Sequence, residues 1–265
     1  MLNQNIHPTA IVSEKVKMGN DVKIGPYSII EGNITIGDGS IIEGHTFLKG
    51  NLTIGKNNHI YQFCSIGDFP QDITYKGEDT YIEIGDNNII REYVSIHRGT
   101  TKEDHVTKVG NNNFLMGHVH VAHDVKIANR CRLVNSVNLA GHVRVGEGVT
   151  IGGGTYISQF VSVGRGSYIG GASAIDRDIP VFCTAYGNRA KLKGINIIGL
   201  RRQSYAKEVI TEVVDFFRTM EASALSPGSF IKHEEFMKEF DQNEIIKEMI
   251  DNIKTSEVGI APFAS

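Results

Sequence analysis

A six-residue period of aliphatic side chains constrains the fold of this chain more than any other feature. From Ile6 to Ile66, every sixth residue is Ile, Leu, Val or Met, and after an interruption the period resumes at Ile84. It then shifts by one residue and runs from Val109 to Ile175. Glycine follows these positions far more often than 29 glycines in 265 residues would produce by chance.

A period of six matches neither an α-helix, with its period of 3.6, nor a single strand, with its period of 2. It is typical of a hexapeptide-repeat solenoid, in which three hexads close one triangular coil of a parallel β-helix. The aliphatic residue points inward, small or β-branched residues two positions earlier fill a second inward slot, and glycine suits the corners. We therefore predict a mainly β protein with this fold. A sandwich of ordinary short strands would not keep so strict a period.

Two segments interrupt the period, near residues 68–81 and 98–108. A solenoid does not need such segments for its own packing, so loops of this kind often carry binding residues. We predict that both are loop insertions that leave the β-helix.

The repeat ends near Ile179, and a helical pattern follows. We predict a first helix with Ser204 as its N-cap, a second over His233–Asp241 and a third over Glu244–Lys254. The chain is thus divided into a β-helix over residues 1–186 and a C-terminal α-helical domain over 187–265. The helices would cover the open end of the solenoid.

Composition excludes several classes of protein. The net charge is −3, 40% of the residues are hydrophobic, and no long apolar run predicts a membrane span. The N-terminus lacks the pattern of a secretory signal, and the three cysteines are too widely spaced for a disulfide framework or a CxxC metal pair. We expect a cytoplasmic protein with no nucleic-acid partner.

Basic side chains are concentrated in residues 187–207, which carry no acid. The segment is either a solvated face or a docking patch for an acidic partner or for phosphates. Its six basic residues are Arg189, Lys191, Lys193, Arg201, Arg202 and Lys207.

Candidate catalytic residues cluster between Met116 and His142. Residues 18 apart lie on the same edge of a three-hexad coil, so His123, Gly141 and Gln159 are predicted to line up. An imidazole beside the Asp124 carboxylate is suited to general-base catalysis. The Gly141 N–H, one coil away, would stabilise an oxyanion. The arrangement predicts acyl transfer from a thioester to a hydroxyl or an amine, without a covalent enzyme intermediate.

Five motifs connect the chain to a known family: H-V-A-H-D, L-A-G-H-V, S-I-H-R-G-T, I-Y-Q-F-C-S-I-G and P-Q-D. They resemble those of the UDP-N-acetylglucosamine O-acyltransferases that begin lipid A synthesis, and the resemblance covers nearly the whole chain. It implies a left-handed parallel β-helix and a homotrimer with active sites between subunits, using no metal and no cofactor. It also implies transfer of a 3-hydroxyacyl group from acyl carrier protein to the 3-position of UDP-N-acetylglucosamine.

The resemblance assigns roles to individual residues. His123 is the base, Asp124 orients it, and Gly141 supplies the oxyanion N–H. Gly171 matches the position that closes the acyl groove, and we assign carrier-protein docking to Arg189, Lys191 and Lys193. Contacts to the nucleotide sugar or the acyl group are implied for Gln71, Asp72, His97, His120, His142, Gln159, Asn196 and Arg202.

Four positions depart from the family's pattern where it handles the sugar or the nucleotide. Thr74 replaces a lysine, Ser158 a histidine, Ile198 an acid and Gln203 an arginine. The predicted reaction class is unaffected, but the acceptor stays open, and the alternative is a paralogue that acylates another nucleotide sugar, such as a 3-amino sugar.

Two other classes also remain open from sequence. One is a zinc hydratase of the γ-carbonic-anhydrase type, since His118, His120, His123 and His142 would suffice as ligands. The other is a paralogue that docks carrier protein without turnover.

Overall fold

The predicted solenoid is present as a left-handed parallel β-helix in the computed structural model, which describes residues 5–237, 240 and 242–264. Strands pair in parallel with partners 18 residues away, as His120 does with Asn138. The coil has three faces. Two eight-residue strands, β4 (Ile29–Ile36) and β6 (Phe47–Ile54), bend around one corner and join the first and second faces into a 15-stranded sheet. The predicted fold class is confirmed.

Short strands build the rest of each face. The first face contains β1 (Ile11–Val12), β8 (Ser65–Asp68), β11 (Ser95–His97), β14 (His120–Val121), β17 (Asn138–Leu139), β20 (Tyr156–Ile157) and β23 (Ala174–Ile175). The second contains β2 (Lys17–Met18), β9 (Tyr81–Ile84), β12 (Val106–Val109), β15 (Lys126–Ile127), β18 (Arg144–Val145) and β21 (Ser162–Val163). The third contains β3 (Lys23–Ile24), β5 (Ile41–Ile42), β7 (His59–Ile60), β10 (Ile89–Ile90), β13 (Phe114–Leu115), β16 (Arg132–Leu133), β19 (Thr150–Ile151), β22 (Tyr168–Ile169), β24 (Cys183–Tyr186) and β25 (Lys191–Ile195).

The core follows the sequence period. Period residues such as Ile60 and Leu115 are fully buried, and so are second-slot residues such as Val119 and Cys131. Burial raises the pKa of the Cys64 and Cys131 thiols to about 12. Both cysteines are therefore unreactive core residues, as their slots predicted.

A Cβ would be costly at the repeat glycines, as expected for the corners of the coil. The backbone of Gly25 and of Gly152 lies outside the left-handed region, so neither glycine is needed for its φ. A Cβ on Gly25 would lie 2.4 Å from the Gly44 nitrogen, and one on Gly152 would lie 2.4 Å from the Gly171 nitrogen. These glycines let neighbouring coils approach closely, while residues such as Tyr27 (φ 58°) occupy left-handed corner positions.

Two insertions break the 18-residue spacing at the corner between the first and second faces. Ser65 pairs with Ser95, 30 residues away, so this coil contains 12 extra residues. Ser95 pairs with His120, 25 residues away, so the next coil contains 7 extra residues. We name residues 69–80 the first insertion and residues 98–105 the second insertion.

In the described part of the chain, a hairpin and five helices cover the C-terminal end of the β-helix. Strand β24 extends the third face, β25 pairs antiparallel with it, and the predicted domain boundary at 186/187 falls in the turn between them. That division stays a prediction. The side chains of these helices join the solenoid core in one buried cluster. The helices are α1 (Ile197–Arg202), α2 (Lys207–Ala222), α3 (Pro227–Phe230), α4 (Glu234–Met237) and α5 (Glu244–Thr255).

The predicted N-cap is wrong. Helix α1, which we did not predict, ends at Arg202, and the chain then turns at Ser204 with a φ of 61°. Helix α2 therefore starts later, after Ala206, without a side-chain cap. The predicted third helix is observed as α5, which Asn243 caps. The second falls partly on residues 238, 239 and 241, outside the described residues. No helix of the described chain is long and apolar enough to cross a bilayer.

Candidate active site

The predicted column of site residues lies at the corner between the first and second faces, which we call the site corner. Strands β14, β17 and β20 are in register, so the residues three positions after the start of each strand stack on neighbouring coils. The second insertion does not disturb the strand pairing on the first face, because β11 stays in register with β14. A cleft of about 290 Å³ beside the column is lined by Gln71, His120, His123, Gly141 and Gln159, together with Tyr156 and neighbouring backbone.

His123 and Asp124 form a buried pair at the edge of this cleft. The His123 Nδ1 lies 2.9 Å from the Asp124 Oδ2. An Nδ1–H donated to the carboxylate leaves the lone pair on Nε2, which has no hydrogen-bond partner among the described residues. The ring is therefore held in the tautomer that a general base requires.

Thr100 fixes the Asp124 carboxylate, and sequence reasoning missed it. Its N–H donates to Oδ1 at 2.9 Å, and its hydroxyl donates to Oδ2 at 2.7 Å. Burial alone would raise the pKa of the Asp124 carboxyl. The hydrogen bonds from His123 and Thr100, with the nearby His142, outweigh burial and hold this pKa below its ordinary value. Asp124 is thus an anion that can support a cationic imidazole.

Gly141 packs directly against the His123 ring. A Cβ at this position would lie 2.5 Å from the ring Cε1 and 2.7 Å from Nε2. The Gly141 N–H donates no hydrogen bond to any described residue, although Ala140 and His142 on either side donate theirs. The geometry offers a free N–H close to the atom that would accept a proton.

Two further histidines lie beside the cleft. His120 Nδ1 lies 2.8 Å from the Ser95 hydroxyl, and the His97 ring meets His120 edge-on, with centroids 5.1 Å apart. Burial, with His120 and His123 nearby, lowers the pKa of His97 to about 4, although Asp68 acts in the opposite direction. Burial and His123 also lower the pKa of His120. At neutral pH the region around His123 therefore contains a neutral His97.

His142 lies on the next coil, on the far side of the site corner. Its Nδ1 is 2.6 Å from Glu103 Oε1, its Nε2 is 3.8 Å from Asp124 Oδ2, and its ring stacks on Phe160. Glu103 belongs to the second insertion and also pairs with Arg144. His142 is therefore locked in place between two carboxylates, close to the catalytic pair.

Asp72, in the first insertion, has a carboxylate whose two oxygens already have partners within the chain. Its Oδ1 accepts from the Thr74 N–H at 2.8 Å and from the Thr74 hydroxyl at 2.7 Å. Its Oδ2 pairs with Lys102 of the second insertion at 2.5 Å. Lys102 and Thr74 hold the pKa of this carboxyl well below its usual range. Asp72 thus joins the two insertions beside Gln71.

The second insertion therefore contacts three predicted site residues through Thr100, Lys102 and Glu103. None of these was predicted individually. The signal that pointed to them was the interruption of the period near 98–108, because a segment without a period has no packing role of its own in the coil.

The other predicted residues lie at other corners within one chain. Asn196 caps α1 and donates to the Gly166 carbonyl, at the corner between the second and third faces, and Arg202 is exposed at the end of the same helix. Gly171 lies between the third and first faces, against Gly153. One chain by itself does not bring these three residues to His123.

The basic segment is exposed in part. Arg189 is 80% exposed and lies 3.2 Å from Asp176, while the Lys193 Nζ lies 5.1 Å from the Tyr186 ring centroid. Lys191 is half-buried in β25. Arg189 and Lys193 therefore place exposed positive charge on the hairpin at the end of the solenoid.

The histidines do not form a three-histidine zinc site. Among the described residues, the group whose donor atoms lie close enough to share an ion is His123, Asp124 and His142. Nδ1 of both rings already faces a carboxylate. His118 lies at a different corner, stacked on Tyr93. These side chains are therefore arranged as a hydrogen-bonded general base, and they do not offer the three histidine nitrogens of a γ-carbonic-anhydrase site.

Comparison with known proteins agrees with this geometry. The family described as UDP N-acetylglucosamine O-acyltransferase, domain 2, matches residues 178–261, and bacterial transferase hexapeptide (six repeats) matches 15–50. An acyl-[acyl-carrier-protein]–UDP-N-acetylglucosamine O-acyltransferase of Sulfurihydrogenibium sp. (strain YO3AOP1) is 54% identical over 260 residues, covering 98% of this chain and 95% of that protein. This chain belongs to the UDP-N-acetylglucosamine O-acyltransferase family. The resemblance of its motifs is confirmed.

Solved structures of the family superpose over almost the full length. LpxA from Acinetobacter baumannii is 40% identical with a TM-score of 0.93, covering 97% of this chain and 99% of that one. The UDP-N-acetylglucosamine acyltransferase from Arabidopsis is 30% identical with a TM-score of 0.85, covering 98% and 100%. The helical tail is therefore part of the family fold.

Proposed function

We propose that this protein transfers an acyl group from acyl carrier protein to UDP-N-acetylglucosamine, the first step of lipid A synthesis. The observation that carries the proposal is the buried His123–Asp124 pair facing the cleft, with the free Gly141 N–H on the next coil. The relative from Sulfurihydrogenibium carries this activity in its name.

The proposed mechanism is direct transfer. His123 Nε2 takes the proton of the sugar 3-hydroxyl, whose oxygen attacks the carbonyl carbon of the 3-hydroxyacyl thioester. The Gly141 N–H stabilises the oxyanion that forms. The carbon–sulfur bond then breaks, the carbonyl re-forms, and the imidazolium returns its proton to the thiolate. Asp124 supports the transient imidazolium.

We propose a homotrimer with sites between subunits, and the positions of the remaining residues support it. Gln71, Asp72, His97, His120, His142 and Gln159 surround His123 or support its neighbours, whereas Gly171, Asn196 and Arg202 lie at other corners. A second copy placed against the site corner would supply the nucleotide contacts of Asn196 and Arg202 and the groove end at Gly171. A cytoplasmic location remains a prediction.

The acceptor is proposed to be the N-acetyl sugar despite the four departures. Thr74 stands where the family has a lysine, so that cation is missing. Lys102 of the second insertion supplies a cation nearby, because it pairs with Asp72. The alternative acceptor is a 3-amino nucleotide sugar. The variant Thr74→Lys with Ser158→His tests the choice, since a gain of tenfold or more on UDP-N-acetylglucosamine would show that the native pocket is adapted to another sugar.

Docking of the acidic carrier protein is assigned to Arg189, Lys191 and Lys193. Exposed charge pairs are screened over about 8 Å at physiological salt. The KM for the carrier thioester should therefore rise with salt and rise again when the three charges are removed. A KM independent of salt would leave the segment as a solvated face.

The central experiment replaces the base. His123→Ala should lower turnover by roughly 10²–10⁴ with the fold intact, because general-base catalysis contributes that much. The control is His118→Asn, which changes an exposed histidine at another corner, where φ is 62° and Asn is well tolerated. Near wild-type transfer by His123→Ala would contradict the mechanism.

A further inference from the structure

Arg98 is a nearly buried cation that pairs with no anion among the described residues. The residue is only 7% exposed, and its Nε is buried with no hydrogen-bond partner. Its guanidinium donates no hydrogen bond and forms no ion pair to any residue in the described part of the chain. Burying an unpaired charge is costly, so such a residue is retained only when something outside the chain compensates for it.

The guanidinium lies in a defined slot. It sits 4.8 Å from the Phe69 ring centroid on one side. A Cβ on Gly50 would lie 3.0 Å from its Cζ and Nη1, so the backbone of Gly50 also packs against the guanidinium. Nearby Asp68 accepts the Arg98 N–H with its carbonyl, at 3.2 Å. Its carboxylate accepts from the Phe69 N–H at 2.8 Å and lies 3.7 Å from the Lys49 Nζ. The guanidinium is therefore packed against its neighbours, and no described residue accepts a hydrogen bond from it.

The slot lies at the site corner, on the N-terminal side of the catalytic base. Strand β11 pairs with β14, so Arg98 begins the second insertion one coil before His123. Its guanidinium reaches the earlier coils, where it contacts Phe69, after β8, and Gly50, in β6. An anionic group bound by Arg98 would therefore lie next to the first insertion, on the side of the Arg98 coil away from His123.

We infer that Arg98 binds a phosphate group of a substrate in the transfer reaction. The fork of guanidinium donors matches phosphate oxygens in a bidentate pair, and the contacts with Phe69 and Gly50 orient it in advance. The inference rests on the proposed function, whose two substrates both carry phosphate: the nucleotide sugar as a diphosphate and the carrier protein on its phosphopantetheine arm.

The test compares Arg98→Met and Arg98→Lys with the wild-type protein in steady-state transfer. Met fits an apolar slot without charge. Loss of a charge-assisted phosphate contact should raise the KM of one substrate by roughly 10- to 100-fold, and Arg98→Lys should recover part of it. The melting temperature of the unliganded protein should not fall, because the variant removes an uncompensated buried charge. The matched control is Arg91→Met, since Arg91 also stacks on an aromatic ring, Tyr61, but is paired with Glu92.

Two further measurements identify the phosphate. If it belongs to the nucleotide, Arg98→Met should weaken binding of UDP but not of uridine. If it belongs to the carrier, the variant should respond less than the wild type when acyl-phosphopantetheine is replaced by acyl-pantetheine as donor.

Unchanged kinetic constants in both Arg98 variants would overturn the inference. So would a lower melting temperature with loss of the oligomer, which would mean that an acidic side chain of a second copy occupies the slot. Failure of the proposed function is distinguishable, because the wild-type protein would then transfer no acyl group to the nucleotide sugar.

Discussion

Replacing Gly141 by alanine should slow acyl transfer by moving the base rather than by unfolding the protein. The new Cβ would lie 2.5 Å from the His123 Cε1 and 2.7 Å from Nε2. Atoms in ordinary contact are about 3.5–4.0 Å apart, so the ring must move by roughly 1 Å. The φ of Gly141 lies outside the left-handed region, and alanine is therefore compatible with this backbone.

The ring cannot move without losing its partners. It is 4% exposed, its Nδ1 is held 2.9 Å from Asp124, and the His142 ring lies edge-on with centroids 5.1 Å apart. A misplacement of about 1 Å at a reacting group costs on the order of 10² in rate. We therefore expect kcat for transfer to fall about a hundredfold in Gly141→Ala, with little change in the melting temperature.

The control and the decisive comparison both come from this chain. In Gly117→Ala the Cβ would lie 3.2 Å from the Asn135 side-chain nitrogen, which can rotate away, so activity should be nearly unchanged. In a His123→Ala background there is no ring to displace, and Gly141→Ala should then cost little more. A further hundredfold loss in that background would refute displacement of the ring as the cause.

Three other changes have defined outcomes. Thr100→Val removes the hydroxyl that donates to Asp124 at 2.7 Å; kcat should fall about tenfold and Thr100→Ser should restore it, whereas equal loss in both variants would contradict the assigned contact. His97 has a pKa of about 4 in the folded protein against 6.5 ordinarily. The unfolded chain therefore takes up a proton first, and folding stability should decline as pH falls from 6.5 to 4, by about 3 kcal/mol at most. Denaturant titrations of His97→Gln should show a weaker decline, and an identical pH profile would exclude His97 as its source. Gly171→Met should shift the acyl products to shorter chains, measured by mass spectrometry, and an unchanged product distribution would place the groove elsewhere.

The scaffold could be predicted from sequence because the coil repeats. Once Ile60 and Leu115 are recognised as equivalent positions, burial is expected at the other period residues, and it is found from Ile24 onward. The same equivalence placed Gly141 beside His123, since a translation of one coil converts sequence spacing into contact. Arg98 could not be placed in this way, because it begins the second insertion, where the period is interrupted.

What has no period could not be predicted at the level of residues. Ser204 looked like an N-cap because the short helix α1 has too few residues to show a pattern. Lys102 and Glu103 looked like exposed loop charges, and their partners Asp72 and His142 are 30 and 39 residues away. No short, regular spacing in the sequence indicates that such pairs are in contact.

The coil carries the catalytic residues and the second insertion holds them in position, and this difference has a physical reason. Side chains on a solenoid wall face outward at heights fixed by the strand spacing, so His123 and Asp124 cannot be adjusted by moving the backbone that bears them. A segment outside the repeat has no such restriction and can approach the wall from the side. The second insertion does so with Thr100 on Asp124, Lys102 on Asp72 and Glu103 on His142. Substitutions in this insertion should therefore alter turnover and acceptor binding while leaving the melting temperature almost unchanged, and the reverse should hold for the period residues of the coil.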